Sequence, residues 1–162
     1  MQEAVGELGW LEMTALAREM RNSLWLYPIV EIFHILGFTL LVGAVTLFDL
    51  RLLGWARFLP VDGLARHLLP WSLASLVFII PAGLMMFIAH PHDFLNNRVF
   101  LIKLSLIGFA GMNAAWFHTN TYRSVDSWNA DVAAPLLARL HALASLAIWV
   151  AVVCCGRLLA YT

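Results

Sequence analysis

Apolar residues fill four long runs of the chain at nearly every position, over residues 24–50, 64–89, 99–118 and 135–160. The hydrocarbon core of a bilayer takes about 20 consecutive apolar residues per helical crossing, so each run is long enough to span it. A barrel strand would alternate apolar and polar positions. These runs do not alternate, and the spans are therefore read as helices. The connectors LGWARFLPVDGLAR, AHPHDFLNNR and HTNTYRSVDSWNADVAAP are rich in Pro, Gly, Asn and Asp, which end helices and favour turns. Short connections make consecutive spans antiparallel neighbours. The pattern predicts an all-α integral membrane protein, an up-and-down four-helix bundle forming one domain over residues 1–162.

Ahead of the first run, WLEMTALAREM spaces Leu11, Ala15 and Arg18 along one flank and interleaves Trp10, Met13, Leu16 and Ala17 at helical intervals. This predicts a short interfacial helix over residues 10–22, with Trp25 and Tyr27 as the aromatic belt; a frayed polar tail accounts for the same residues equally well. Glu3, Glu7 and Glu12 stand where a signal peptide would carry basic residues.

Composition agrees with the membrane reading. The chain is 62% hydrophobic and 12% charged, too apolar for a domain whose surface faces water. Ten basic residues balance ten acidic ones, so no net charge draws the chain to nucleic acid. The expected partners are membrane lipid, a quinone, and a redox partner, larger membrane complex or second copy of the chain. The two cysteines, Cys154 and Cys155, are adjacent in the last span and read as small packing residues. Arg51, Arg57, Arg66, Arg123 and Arg139 fall on one side of the bundle, and Arg18, Arg21, Arg98 and Arg157 on the other. With three arginines around the first connector and an acidic start, the positive-inside tendency predicts a periplasmic N-terminus in a bacterial inner membrane.

Charges at membrane depth cost several kcal/mol, so they normally face the bundle and have a partner or a task. The polar and ionisable groups at that depth are Glu31, His34, His67, Lys103, Asn113, His118 and His141, with Asp49 and Arg51 closing the first span. An ion pair between Glu31 and Lys103 would explain those two but not His34. Glu31 and His34 are three residues apart and share a face. E-x-x-H is the spacing of di-iron bundles, which need it twice with two further glutamates, and it occurs here once. The zinc-hydrolase motif H-E-x-x-H is absent too.

Haem b fits this set better, because a bundle holds it by axial histidines with small residues beside the porphyrin. Gly37, Gly43 and Ala44 follow His34, and Gly108, Ala110 and Gly111 lie between Lys103 and His118; close helix packing uses such residues as well. His34 is the expected ligand or haem-site residue near one rim. His67 and His141, from diagonal spans, form the expected pair for a second haem near the other, with His118 as an alternative ligand or a titrating rim residue.

The sequence W-L-Y-P-x-x-E-x-x-H-x-x-G, followed by D-L-R-L-L-G, N-N-R-V-F-L-I-K-L and G-x-N, resembles an uncharacterised family of small four-helix bacterial inner-membrane proteins over nearly the whole chain. More distantly, a histidine in span one, an arginine closing it and a lysine early in span three resemble the haem-containing four-helix protoporphyrinogen oxidase family. That resemblance implies a functional pair at His34 and Lys103 and adds Arg51 to the cofactor-binding candidates. The first span is also similar to that of copper-resistance membrane proteins of the CopD type. The chain lacks the oxidase family's LPRLFVYH stretch and the clustered Met and His that copper transfer needs, so no substrate carries over.

These readings combine into a membrane b-type cytochrome with one or two haems, exchanging electrons between a quinone pool and a partner. Glu31 supports His34 or carries protons at the quinone-facing rim, and Lys103 acts beside it. The alternative is a non-redox subunit or small transporter whose Glu31, Lys103 and Asp49 are structural or gating charges.

Overall fold

In the computed structural model, which describes residues 9–161, the chain is helical and the described residues contain no strand. Glu3 and Glu7 lie outside the described residues. Helices α1 (Gly9–Glu12) and α2 (Ala15–Asn22) precede the spans α3 (Leu26–Leu52) and α4 (Val61–Ala89). A short α5 (Pro91–Asn96), the third span α6 (Arg98–Thr119), a 3₁₀ segment (Thr121–Ser127) and the fourth span α7 (Leu136–Leu158) complete the order. All four spans are long and apolar enough to cross a membrane. The ends of the bundle carry the two arginine groups anticipated from the pattern: Arg18, Arg21, Arg98 and Arg157 at the N-terminal end, the other five at the opposite, loop end.

Local chemistry explains where the helices start. The Asn97 side chain accepts from the backbone N–H of Val99 (2.8 Å) and Phe100 (3.3 Å), capping α6. Helix α4 begins earlier than its apolar run because Asn129, from the connector before α7, satisfies its first donors. The Asn129 carbonyl accepts from Val61 N–H at 2.9 Å, and its side-chain oxygen from Asp62 N–H at 2.9 Å.

The spans form two hairpins. α3 packs extensively on α4 and α6 on α7, a narrower α3–α7 contact joins the pairs, and α4 and α6 scarcely meet. Gly37 permits the α3–α4 approach, since a Cβ there would stand 2.9 Å from Ile79 Cγ1 and 3.2 Å from the Ser75 carbonyl oxygen. The buried core is divided. One cluster, built on Met20, Val30, Ala82 and Ala89, closes the N-terminal end. The other, around Phe48, Leu52, Val61, Phe117, Trp128 and Ala138, closes the loop end. A cavity lies between them.

The N-terminal segment is two helices, because residues 13 and 14 leave the helix and Thr14 caps α2 by accepting from Ala17 N–H at 3.2 Å. Its inward face is Ala17 and Met20, both buried, while Trp10 and Met13 stay exposed. The segment is latched by polar contacts. Arg21 donates to the Ala89 carbonyl at 2.8 Å and to the Glu12 carbonyl at 2.6 Å, and His92 Nδ1 lies 2.6 Å from Glu12 Oε1. The hydrogen bond from His92 holds the Glu12 carboxyl below its ordinary value, helped by the charges of His92, Arg21 and His90. A carboxyl lowered in the folded state contributes stability above its ordinary range, near 4.5, and loses it as the pH falls through the folded value. The protection of amides in residues 9–22, measured against their intrinsic exchange rates, is therefore expected to fall as the medium is acidified below about pH 4.5. In Glu12→Gln the protection should be low at every pH, and a profile indistinguishable from wild type would remove the latch.

Candidate functional site in the bundle interior

The space between the two core clusters is a cavity of about 860 Å³, within the range of about 300–1,000 Å³ that encloses small ligands and cofactors. All four spans line it. Several of its lining residues on α4 and α6, such as Leu73, Ile80, Leu84 and Leu104, are exposed, and the two helices scarcely meet. The cavity therefore opens sideways between α4 and α6, where the hairpins part. Its polar groups gather at the two ends, and Phe38, Leu41, Ala44 and Val45 line the stretch between. His34 and Asp49 are fifteen residues apart on α3, about 22 Å along a helix axis.

At the N-terminal end, His34 Nδ1 is 3.0 Å from the Ile79 carbonyl oxygen. A carbonyl can only accept, so Nδ1 carries the proton and Nε2 keeps its lone pair. Gly83 makes room for the ring: a Cβ there would stand 3.2 Å from His34 Cε1. Lys103 lines the same end from α6, its Nζ 3.7 Å from where a Gly156 Cβ would be. The expected ion pair between Lys103 and Glu31 does not form. Among the described residues the ion pairs are Arg66–Asp62, His90–Asp93 and His92–Glu12. Lys103 turns towards α7, whereas Glu31 is exposed and outside the cavity lining.

At the loop end, Asn113 and His141 lock together. The Asn113 amide nitrogen donates to the His141 carbonyl at 3.0 Å, and its oxygen accepts from His141 Nδ1 at 2.7 Å. His141 Nε2 is then buried with no partner. Asp49 is buried as well, hydrogen-bonded by Ser145, and its Oδ2 has no partner. The Phe117 ring packs edge-on against both His118 and His141, at 5.2 and 5.9 Å between centroids. His118 also borders an outer groove with Arg66 and Tyr122. The Tyr122 hydroxyl donates to Asp62 at 3.2 Å; burial, then the Asp62 charge, raises its pKa.

Two expected site residues stand elsewhere. His67 is exposed, with Nδ1 2.9 Å from the Gly63 carbonyl oxygen of its own helix, and it does not line the cavity. It therefore does not pair with His141 across the bundle. Its position near the start of α4 puts it on the outward face, which one apolar run could not reveal. Arg51 is fully buried but outside the cavity lining; its Nε donates to the Leu59 carbonyl (2.6 Å) and its Nη2 to those of Arg57 and Asn129 (both 3.0 Å), while Nη1 has no partner. It clamps the α3–α4 loop to the connector before α7. The small residues also divide, Gly37 serving helix packing while Ala44, Ala110 and Gly111 line the cavity. Cys154 and Cys155 are free thiols.

No three or more His, Cys, Asp or Glu side chains among the described residues come together as a metal-ion cage. A haem needs only one or two axial nitrogens, and His34 meets that requirement: a fixed ring, an available Nε2 and a glycine-lined gap. Residues 24–162 match the model of a family described as of unknown function, DUF6644. No curated protein and no solved structure matches the chain.

Proposed function

The chain belongs to the DUF6644 family, and from its own cavity we propose that it is a haem b protein of the bacterial inner membrane. In this reading its N-terminus is periplasmic and it passes electrons between the quinone pool and a partner. The observation that carries the reading is His34, whose Nδ1–H is committed to the Ile79 carbonyl while the ring lies over Gly83 at the cavity wall. An imidazole anchored through Nδ1 to a carbonyl is the usual form of a metal-binding histidine, since the anchor fixes the ring and raises the basicity of Nε2. A bound haem would supply one-electron chemistry. His34 would hold it and set its orientation. Lys103 places a cation at the same end, suited to a propionate. The apolar walls exclude water, which keeps the reduction potential under the protein's control. Glu31 lies one turn from His34 on the exposed side of α3, where it is open to a partner chain.

The test is absorbance of the protein purified in mild detergent from cells supplied with haem precursor. A Soret band with about one haem per chain is expected. A colourless protein that also fails to bind added haemin would overturn the reading. That outcome would favour a non-redox subunit or transporter, whose exposed Glu31 pairs with another chain.

A further inference from the structure

The loop end of the cavity holds two buried acceptors without partners, Asp49 Oδ2 and His141 Nε2. The geometry around His141 leaves only an acceptor, and the Asp49 carboxylate, when ionised, offers another. Asn113 fixes the His141 tautomer by accepting at Nδ1, so the neutral ring offers a lone pair at Nε2. Ser145 hydrogen-bonds the Asp49 carboxyl and leaves Oδ2 over. A buried polar atom left without a hydrogen bond is costly, so two in one cavity point to a molecule that brings donors. Phe48 and Phe117 also line the cavity, packed edge to face with centroids 5.8 Å apart, and aromatic walls suit a flat aromatic head. The cavity is otherwise apolar and opens between α4 and α6, which gives a lipid-soluble molecule a sideways entry.

We infer that the loop end binds the head of a lipid-soluble hydroquinone, with Asp49 and His141 accepting from its hydroxyl groups and its tail lying in the opening between α4 and α6. The site rests on the proposed quinone-linked reading for its meaning, but it uses no residue of the haem site and can be tested alone. A second haem on His141 is the competing occupant. It would leave the Asp49 oxygen without a donor, and the histidine expected to complete its ligand pair, His67, is on the outside of the bundle.

The experiment uses the full chain in lipid nanodiscs, titrated with decylubiquinol under reducing conditions and, separately, with the dimethyl ether of the same molecule, which keeps the ring and tail but donates nothing. Binding is followed by quenching of tryptophan fluorescence, since Trp149 lines the cavity, and by the rise in melting temperature. Decylubiquinol is expected to bind about tenfold or more tightly than the ether, as the loss of hydrogen bonds to buried acceptors implies. Asp49→Asn and His141→Leu should each remove most of that preference, whereas His67→Ala should leave it intact. The Asn variant is nearly isosteric; if the Leu variant does not fold, Asn113→Leu, which frees the His141 ring to turn, takes its place. Equal affinity for both ligands, a preference untouched by Asp49→Asn, or two haems per chain would each overturn the site. A colourless protein that still prefers the hydroquinone removes the haem alone, and a red protein without the preference removes the hydroquinone site alone.

Discussion

Replacing Arg51 with alanine is expected to lower the melting temperature of the detergent-solubilised protein far more than replacing His34 or His67. The guanidinium is buried at 1% exposure, and its Nε and Nη2 donate to three carbonyls: Leu59 and Arg57 in one loop and Asn129 in the other. Hydrogen bonds to a charged group contribute about 1.5–3 kcal/mol each, and the Leu59 carbonyl would lose its donor while those of Arg57 and Asn129 would keep only the N–H groups of Asp131 and Val61. A loss on the order of 3 kcal/mol or more follows. The damage should spread, because Asn129 also caps α4 through Val61 and Asp62. Exchange at the first amides of α4 should therefore quicken together with the fall in melting temperature. Arg51→Lys should recover only part of the loss, since an ammonium cannot reproduce the planar fork that reaches both loops. A melting temperature unchanged in Arg51→Ala would show that the clamp carries no stability.

His34→Ala is expected to abolish the haem signal while leaving the bundle intact. The side chain is half-buried at the cavity wall, and the Ile79 carbonyl that it bonds lies within a continuous helix. Its removal should therefore cost far less stability than the loss of Arg51. Gly83→Ala supplies an independent check without touching the ligand. The new methyl would stand 3.2 Å from His34 Cε1, close enough to push the ring and shift the Soret band or weaken haem retention. His67→Ala should change neither spectrum nor stability, because that ring faces outward. A Soret band of wild-type position and intensity in His34→Ala would take His34 out of the haem site.

How much of this was legible in the chain divides by the range of the forces involved. Spans, their order and the sides of the arginines follow from apolar runs that the bilayer alone can satisfy, and that requirement is local: each run had to become a helix whatever its neighbours did. The boundary shift at Val61 was not legible, because its cap comes from Asn129, far along the chain. The split at residues 13 and 14 had a local signal in Thr14 followed by Ala17, although the apolar spacing ran across it.

At the candidate site, the residue types could be read directly, since charge and imidazole are conspicuous among leucines. Which of them meet could not. A run that is apolar all round carries no amphipathic stripe to say which face turns inward, so His67 and His141 looked equivalent until the packing turned one out and the other in. Glu31 and Lys103 have opposite charges at matching depth, yet the rotation of α3 and α6 about their axes separates them. Asp49 and His141 are the converse case. The sequence set them at the ends of separate spans, and only the tertiary structure brought both to one end of the cavity with an acceptor to spare. The sequence by itself determined how many helices are long and apolar enough to cross a bilayer and in what order they come. Helix rotation and the parting of α4 from α6 decided where a ligand can sit, because those depend on the sum of side-chain contacts across all four spans and not on any one of them.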